Sequence, residues 1–223
     1  MMKGKFAVVL VLLCFALPIT AQKKVKLENR KDSLSYMVGV SMYQGTMQFQ
    51  LTLDYDMVAK GFLAAADSNA VMDAETANNY IRRVSEQVNA EKLVKTKELG
   101  LKFLAENRKE EGIIETQSGL QYRVIQEGAG PSPSPESNVK VHYTGYLLDG
   151  TKFDSSHDRG EPAEFPVNRV IPGWTEVLQL MKPGAEYVVY IPPHLGYGDR
   201  QMGGDIPAGS TLIFEIELLD ITQ

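Results

Sequence analysis

Between Leu27 and about Glu111 the chain contains no proline, and its apolar residues recur at helical spacing; after Gly112 prolines return and the spacing shortens to two. A helix interior cannot take proline without losing a hydrogen bond and clashing with the preceding turn, whereas a half-buried strand reads as alternation. This change predicts two folding regimes in one chain, helical first and sheet second. Leu34, Met37, Val38, Ser41 and Met42 mark one face of a first helix. Asp54 is placed to cap a second, which carries Met57, Val58, Gly61, Phe62 and Ala65. Asp73 should cap a third that runs unbroken to about Lys109, roughly 54 Å at 1.5 Å per residue.

That third helix changes character along its length. Ala77, Ile81, Val84 and Val88 want a partner surface. Beyond them Glu91 with Lys95 and Glu98 with Lys102 form i,i+4 pairs in the favourable order, which suits a helix standing in water. A compact bundle with an exposed last helix is one solution. A module too small to bury its own apolar faces, so that two copies associate, fits the sparse apolar positions better.

In the second half Leu120, Tyr122 and Val124 alternate, and "GAGPSPSPES" (Gly128–Ser137) is a loop no helix could absorb. "VKVHYTGYLLDGTKFDSS" (Val139–Ser156) reads as a hairpin about Asp149-Gly150, where glycine supplies positive φ cheaply. Its return strand sets Asp154 beside Phe153 with no basic residue adjacent. A short helix should begin near Ile171 with Pro172 at its first position, bury Val177, Leu178 and Met181, and end at Gly184. Tyr187–Ile191 reads as a buried strand, and Leu212, Phe214, Ile216 and Leu218 as a final alternating one. Antiparallel strands curling over one helix make this half α+β. The link between the halves falls near Glu110–Thr116.

Before both halves stands a leader. Lys3 and Lys5 precede an apolar run from Phe6 to Ile19, and Ile19-Thr20-Ala21 ends in small residues, the grammar of a secretory signal peptide. The run falls short of the ~20 residues a spanning helix needs, so cleavage after Ala21 is expected over a retained anchor. Cys14, the one cysteine, lies inside that run between Leu13 and Phe15, unlike a lipid-attached cysteine. The mature chain then has no disulfide and no thiolate metal site. His142, His157 and His194 show no metal-ligand spacing, so no metal or cofactor is expected. The formal charge of −5 becomes more negative once the leader's two lysines are gone, which gives no electrostatic footprint for nucleic acid.

From Gly119 to Thr222 the blocks "SGLQYRVIQEG", "VHYTGYLLDGTKFDSS", "VIPGWTEVLQLMKPGAEYVVYIPP", "GYG" and "IPAGSTLIFEIELL" resemble the FKBP-type peptidyl-prolyl isomerases, in order and spacing. Upstream, "SYMVGVSM" and "DYDMVAKGFLAA" resemble the helical module of the exported Mip and FkpA-type bacterial members. With residues 1–21 read as leader, the resemblance implies 22–111 as a helical dimerisation domain with a long linker helix, and 112–223 as an antiparallel half-barrel around one short helix. It implies a pocket of Tyr143, Phe153, Phe165, Val170, Ile171, Trp174, Tyr197, Ile206 and Phe214. Trp174 would lie under the proline ring, the Ile171 N–H and Tyr197 hydroxyl would hold substrate carbonyls, and Asp154 at the rim would bond Tyr143. Substrates would be proline-containing unfolded or nascent exported proteins, and macrolide inhibitors would share the pocket. Met202 and Asp205, in the loop "DRQMGGDIPAG", depart from the family pattern. Export to the periplasm is implied, with outer-membrane association as the alternative. Two other readings compete with catalysis: a holdase that grips unfolded chains between dimer arms, and a surface or adhesive protein with a relict fold, which would have lost pocket residues.

Overall fold

The computed structural model describes residues 25–47, 49 and 51–222; the expected leader, Cys14 included, lies outside the described residues. The chain divides into two compact units at Gln50/Leu51. The first holds α1 (Arg30–Met47), started where the Asn29 and Asp32 side chains bond each other at 2.9 Å and the Asp32 N–H donates to Asn29 Oδ1 at 2.9 Å. α1 buries no residue, and Leu34, Met37, Val38 and Met42 of its expected face stand in solvent.

The second unit opens with α2 (Tyr55–Ala66), capped as expected by Asp54, whose Oδ1 accepts from the N–H groups of Asp56 and Met57 at 3.0 and 3.2 Å. α3 (Ala74–Asn107) is capped by Asp73, which accepts from the Thr76 N–H at 2.7 Å. These carboxylates satisfy N–H groups that the first turn of a helix leaves without partners.

The end of α3 corrects the expectation of a helix in water. Gly100, Leu104 and Asn107 are buried against the sheet that follows. Gly100 faces Thr211 so closely that a Cβ there would overlap the hydroxyl. The fully buried Gln121 donates to the Leu104 carbonyl at 2.9 Å and accepts from the Asn107 amide at 2.8 Å. Phe103 packs on Tyr190 with ring centres 5.7 Å apart, and Lys97 pairs with Asp199 at 2.6 Å. Gln87, four residues before Glu91, donates to it at 2.9 Å, and neither expected Glu–Lys pair is among the ion pairs of the described residues.

The sheet contains β1 (Ile113–Glu115), β2 (Gln121–Gln126), β3 (Asn138–Tyr146), β4 (Lys152–Ser155), β5 (Ala163–Pro166), β6 (Glu186–Ile191) and β7 (Leu212–Thr222). It is antiparallel throughout, in the order β1-β2-β6-β7-β3-β4, and β5 also pairs with β3. β3 is paired with β7 along its length, but its other side is shared: β5 covers Asn138–Val141 and β4 covers Thr144–Tyr146. Between those partners the chain leaves the sheet through a single helical turn, α4 (Ser156–Arg159), ended by Gly160 at φ 78°. Then α5 (Pro172–Leu178) buries Trp174, Val177 and Leu178 in one cluster with Val141, Val189, Ile191, Phe214 and Ile216. α5 starts where expected but stops at Leu178, short of Gly184. Gly184, at φ 84°, instead shapes the turn in which Ala185 donates to the Lys182 carbonyl at 2.9 Å before β6.

Candidate active site

A cavity of about 500 Å³ opens where β3, β4, β5 and β7 meet the start of α5. Its floor is Trp174, which is 4% exposed and meets three aromatic rings edge-on: Tyr143 at 5.1 Å, Phe214 at 5.3 Å and Phe165 at 5.7 Å. Perpendicular contacts place the positive ring edge against a negative face, so they fix orientation as well as bury area. Phe153 closes the side, perpendicular to Phe214 at 5.5 Å. The indole N–H of Trp174 is buried without a hydrogen-bond partner.

The sheet explains why an acid follows an aromatic here. Along β3 and β4, Tyr146 pairs with Lys152 while Gly145 pairs with Asp154, so Phe153 is the extra residue of a bulge. In a regular strand neighbours face opposite sides; a bulge re-aims one of them. Phe153 and Asp154 consequently both line the cavity. Gly145 makes room for this. A Cβ there would come within 2.6 Å of the Phe153 ring and 2.8 Å of the Phe214 ring.

Asp154 is not alone at the rim. The Tyr143 hydroxyl donates to Asp154 Oδ2 at 2.5 Å, and Arg159 donates to Asp154 Oδ1 at 2.5 Å and to the Tyr143 oxygen at 2.9 Å. The guanidinium also stands 5.5 Å from the centre of the Tyr143 ring. Burial raises the Asp154 carboxyl, but the bonds from Tyr143 and Arg159 outweigh it and hold the group below its ordinary value. Burial, and then the hydrogen bond to this carboxylate, push the Tyr143 hydroxyl up. The rim therefore presents a fixed, ionised carboxylate. Sequence reasoning missed Arg159 because it looked only at adjacent residues. The signal lay in Ser155, which caps α4, and Gly160, which ends it: one turn between them carries Arg159 back over Asp154.

Tyr143, Phe153, Asp154, Phe165, Val170, Ile171, Trp174, Tyr197 and Phe214 line one cavity together. Ile206 is not among the lining residues: it is buried in the same core cluster as Tyr143, Trp174 and Phe214 and exchanges backbone hydrogen bonds with Met202 at 3.0 and 3.2 Å. Neither Met202 nor Asp205 is a lining residue. Ile171 uses its carbonyl to start α5, accepting from Trp174 and Thr175 at 2.9 and 3.1 Å, and its N–H has no partner among the described residues. Tyr197 sits between Gly196 and Gly198 with its hydroxyl likewise free among the described residues. Burial, followed by the charge of Asp154, raises that hydroxyl's pKa. Arg169 and Arg200 also line the cavity, and the sequence reading did not foresee them. Among the described residues no group of three or more His, Cys, Asp or Glu side chains is arranged to hold a metal ion.

The chain is 43% identical over 192 residues to the FKBP-type 22 kDa peptidyl-prolyl cis-trans isomerase of Escherichia coli strain K12, covering 84% of this chain and 93% of that one. The chain belongs to the FKBP-type peptidyl-prolyl cis-trans isomerases. The family model described as FKBP-type peptidyl-prolyl cis-trans isomerase matches residues 130–219, and that for the domain amino-terminal to it matches residues 31–124. The chain is 35% identical over 219 residues to the outer membrane protein MIP of Legionella longbeachae, covering 95% of this chain and 94% of that one. The crystal structure of FkpA from Escherichia coli superposes with a TM-score of 0.73 at 29% identity, over 88% of this chain and 99% of that one. The α+β architecture, helices followed by an antiparallel sheet, is that of the FKBP-type family.

Proposed function

We propose that this isomerase rotates X–Pro bonds by binding the twisted amide in the aromatic bowl, with no covalent step. The barrier to rotation is about 18–20 kcal/mol, and unaided isomerisation takes tens to hundreds of seconds. No bond breaks, so neither a nucleophile nor a metal is required. A planar amide is dipolar through resonance, and twisting reduces that charge separation. A dry aromatic wall disfavours the planar form, while dipoles fixed in advance favour the twisted one at no cost in reorganisation. Each ~1.36 kcal/mol of such preference gives tenfold in rate.

In this reading the proline ring lies on Trp174 between Tyr143, Phe165 and Phe214, and the unpartnered Ile171 N–H and Tyr197 hydroxyl hold substrate carbonyls. Asp154 directs its field at the carbonyl carbon as the amide turns. The observation that carries the proposal is the held carboxylate: an ionised Asp154, fixed by Tyr143 and Arg159, at the rim of a bowl whose floor is a buried tryptophan.

Asp154→Ala tests it. Turnover on a proline tetrapeptide should fall about tenfold or more, while affinity changes by less than about threefold, because the bowl supplies general binding. An unchanged rate would leave Asp154 with a structural role only. Since its pKa is lowered in the folded protein, its charge is present above the ordinary carboxylate range and is lost as pH falls through the lowered value. Turnover should accordingly hold level from about pH 5 upward and drop only below the ordinary aspartate value of ~3.9.

The setting we infer is an exported dimer acting on proline-containing unfolded proteins in the periplasm. The leader grammar supports export, and the solvent-facing apolar side chains of α1 and α2 support pairing of two copies. Among the described residues no helix is long and apolar enough to cross a membrane. Residues 22–111 would then supply the dimer and 112–223 the chemistry. The exposed helical faces also favour a holding role beside catalysis. Macrolide inhibitors would enter the same bowl, since the two departures from the family pattern stand outside its lining.

A further inference from the structure

Two cations at the mouth of the cavity have no part in the chemistry above. Arg169 lies on the 3-10 turn before α5, and Arg200 on the loop that carries Tyr197; both line the cavity and both are exposed. Neither forms an ion pair among the described residues. The one carboxylate of the lining, Asp154, is already held by Arg159 and Tyr143. The whole chain has a formal charge of −5, so this positive excess is local to the mouth.

We propose that Arg169 and Arg200 select X–Pro segments bearing an acidic side chain next to the proline. The inference rests on the isomerase reading, because it needs the proline ring in the bowl. With the ring on Trp174, the residues flanking the proline must leave the cavity past its exposed lining, to which Arg169 and Arg200 belong. A carboxylate there meets cations that no protein carboxylate neutralises, and arginine's planar fork suits it in two parallel hydrogen bonds. A lysine at the same place is repelled. Because both arginines are solvent-exposed, the preference is moderate and falls with salt.

The test uses the full chain and tetrapeptides with glutamate, leucine or lysine immediately before the proline, and a second set with them immediately after. Each rate is divided by the same protein's rate on the leucine peptide, so a folding defect in a variant cancels. In one of the two sets glutamate should exceed lysine in kcat/KM by about tenfold at low salt, and by less than about twofold in about 0.5 M salt. The double variant Arg169→Gln/Arg200→Gln should lose that ratio without added salt. A ratio near one in the unaltered protein overturns the proposal, as does a ratio that survives in the double variant. Trp174 is the chain's single tryptophan, so its fluorescence gives peptide affinities independently of turnover. A charge preference in affinity without turnover on any peptide would keep this selection and remove the isomerase reading instead.

Discussion

α2 leaves Met57, Phe62 and Leu63 more than half exposed to solvent, while the sheet buries Val139, Val141, Val189 and Ile216 completely. Both regions carry their apolar residues at the correct period for their element. Period alone therefore tells which face wants cover, and says nothing about what supplies it. In the sheet half, the strands and α5 supply it from the same chain. In α2 the described residues leave no side chain fully buried, and each fully buried side chain of that size would contribute about 1.5–3 kcal/mol. Helices of this length are marginal in water without such burial.

The largest effect expected from that contrast is on assembly. A chain beginning at Gln22 should scatter light as a dimer, and a chain beginning near Ala90, which lacks α1, α2 and the front of α3, as a monomer. A concentration-independent monomer mass for the chain from Gln22 would break the comparison, because α2 would then be stable with its apolar face in water. Truncation should also slow refolding of a proline-limited protein while leaving turnover on tetrapeptides intact, since two arms on one client raise effective concentration.

The end of α3 behaves like the sheet, not like α2, and a second cut shows it. A chain starting at Gly112 loses Leu104 and two of the three partners of the buried Gln121 side chain, the Leu104 carbonyl and the Asn107 amide, and keeps the third, the Glu115 carboxylate. The lost burial and the two lost hydrogen bonds together should cost roughly 3 kcal/mol relative to a chain starting near Ala90. Thermal melts of the two should differ by on the order of 10 °C or more. Equal melting temperatures would mean that α3 only rests on the domain.

The reasons some features could be read in advance and others could not are physical. Asp54 and Asp73 were legible as caps because a short carboxylate before an apolar helical run has few other uses. Pro172 marked the start of α5 for a similar reason. The docking of α3 was hidden because Gly100, Leu104 and Asn107 form a stripe of one small, one apolar and one polar residue, which reads as surface. Only the buried partner amide of Gln121 makes sense of Asn107. Phe153 and Asp154 could be named together, but alternation puts them on opposite faces; the bulge that unites them depends on Gly145 letting two rings close over it. Gly145→Ala sharpens this point. The added methyl must push the Phe153 ring into the cavity or shift Phe214, which is 4% exposed. Overpacking of this kind typically costs about 1–3 kcal/mol. Most of it should appear as weaker peptide binding, read from Trp174 fluorescence, with a smaller fall in melting temperature. A variant with unaltered affinity would show that Phe153 does not need that glycine.

The smallest effect tests whether α3 grips the loop that carries Tyr197 or merely lies beside it. Lys97 pairs with Asp199, two residues beyond Tyr197, and a second cavity of about 380 Å³ is lined by Lys97, Leu101, Pro193, His194, Gly198 and Asp199. The loop from Gly196 to Arg200 is therefore a wall shared by the two cavities, with Tyr197 facing the bowl and Asp199 facing the helix. The pair's side chains are 39% and 58% exposed, so its coupling should be only about 0.2–1 kcal/mol and should weaken with salt. Lys97→Ala, Asp199→Ala and the double variant form a cycle that isolates this term from each residue's other contacts. If the pair steadies Tyr197, which we propose to hold substrate, the coupling should appear in KM more than in kcat, by up to about fivefold. A cycle that closes to zero in KM, with α3 still docked by the melting criterion, would confine the helix to a stabilising role and leave the loop to its own turn hydrogen bonds.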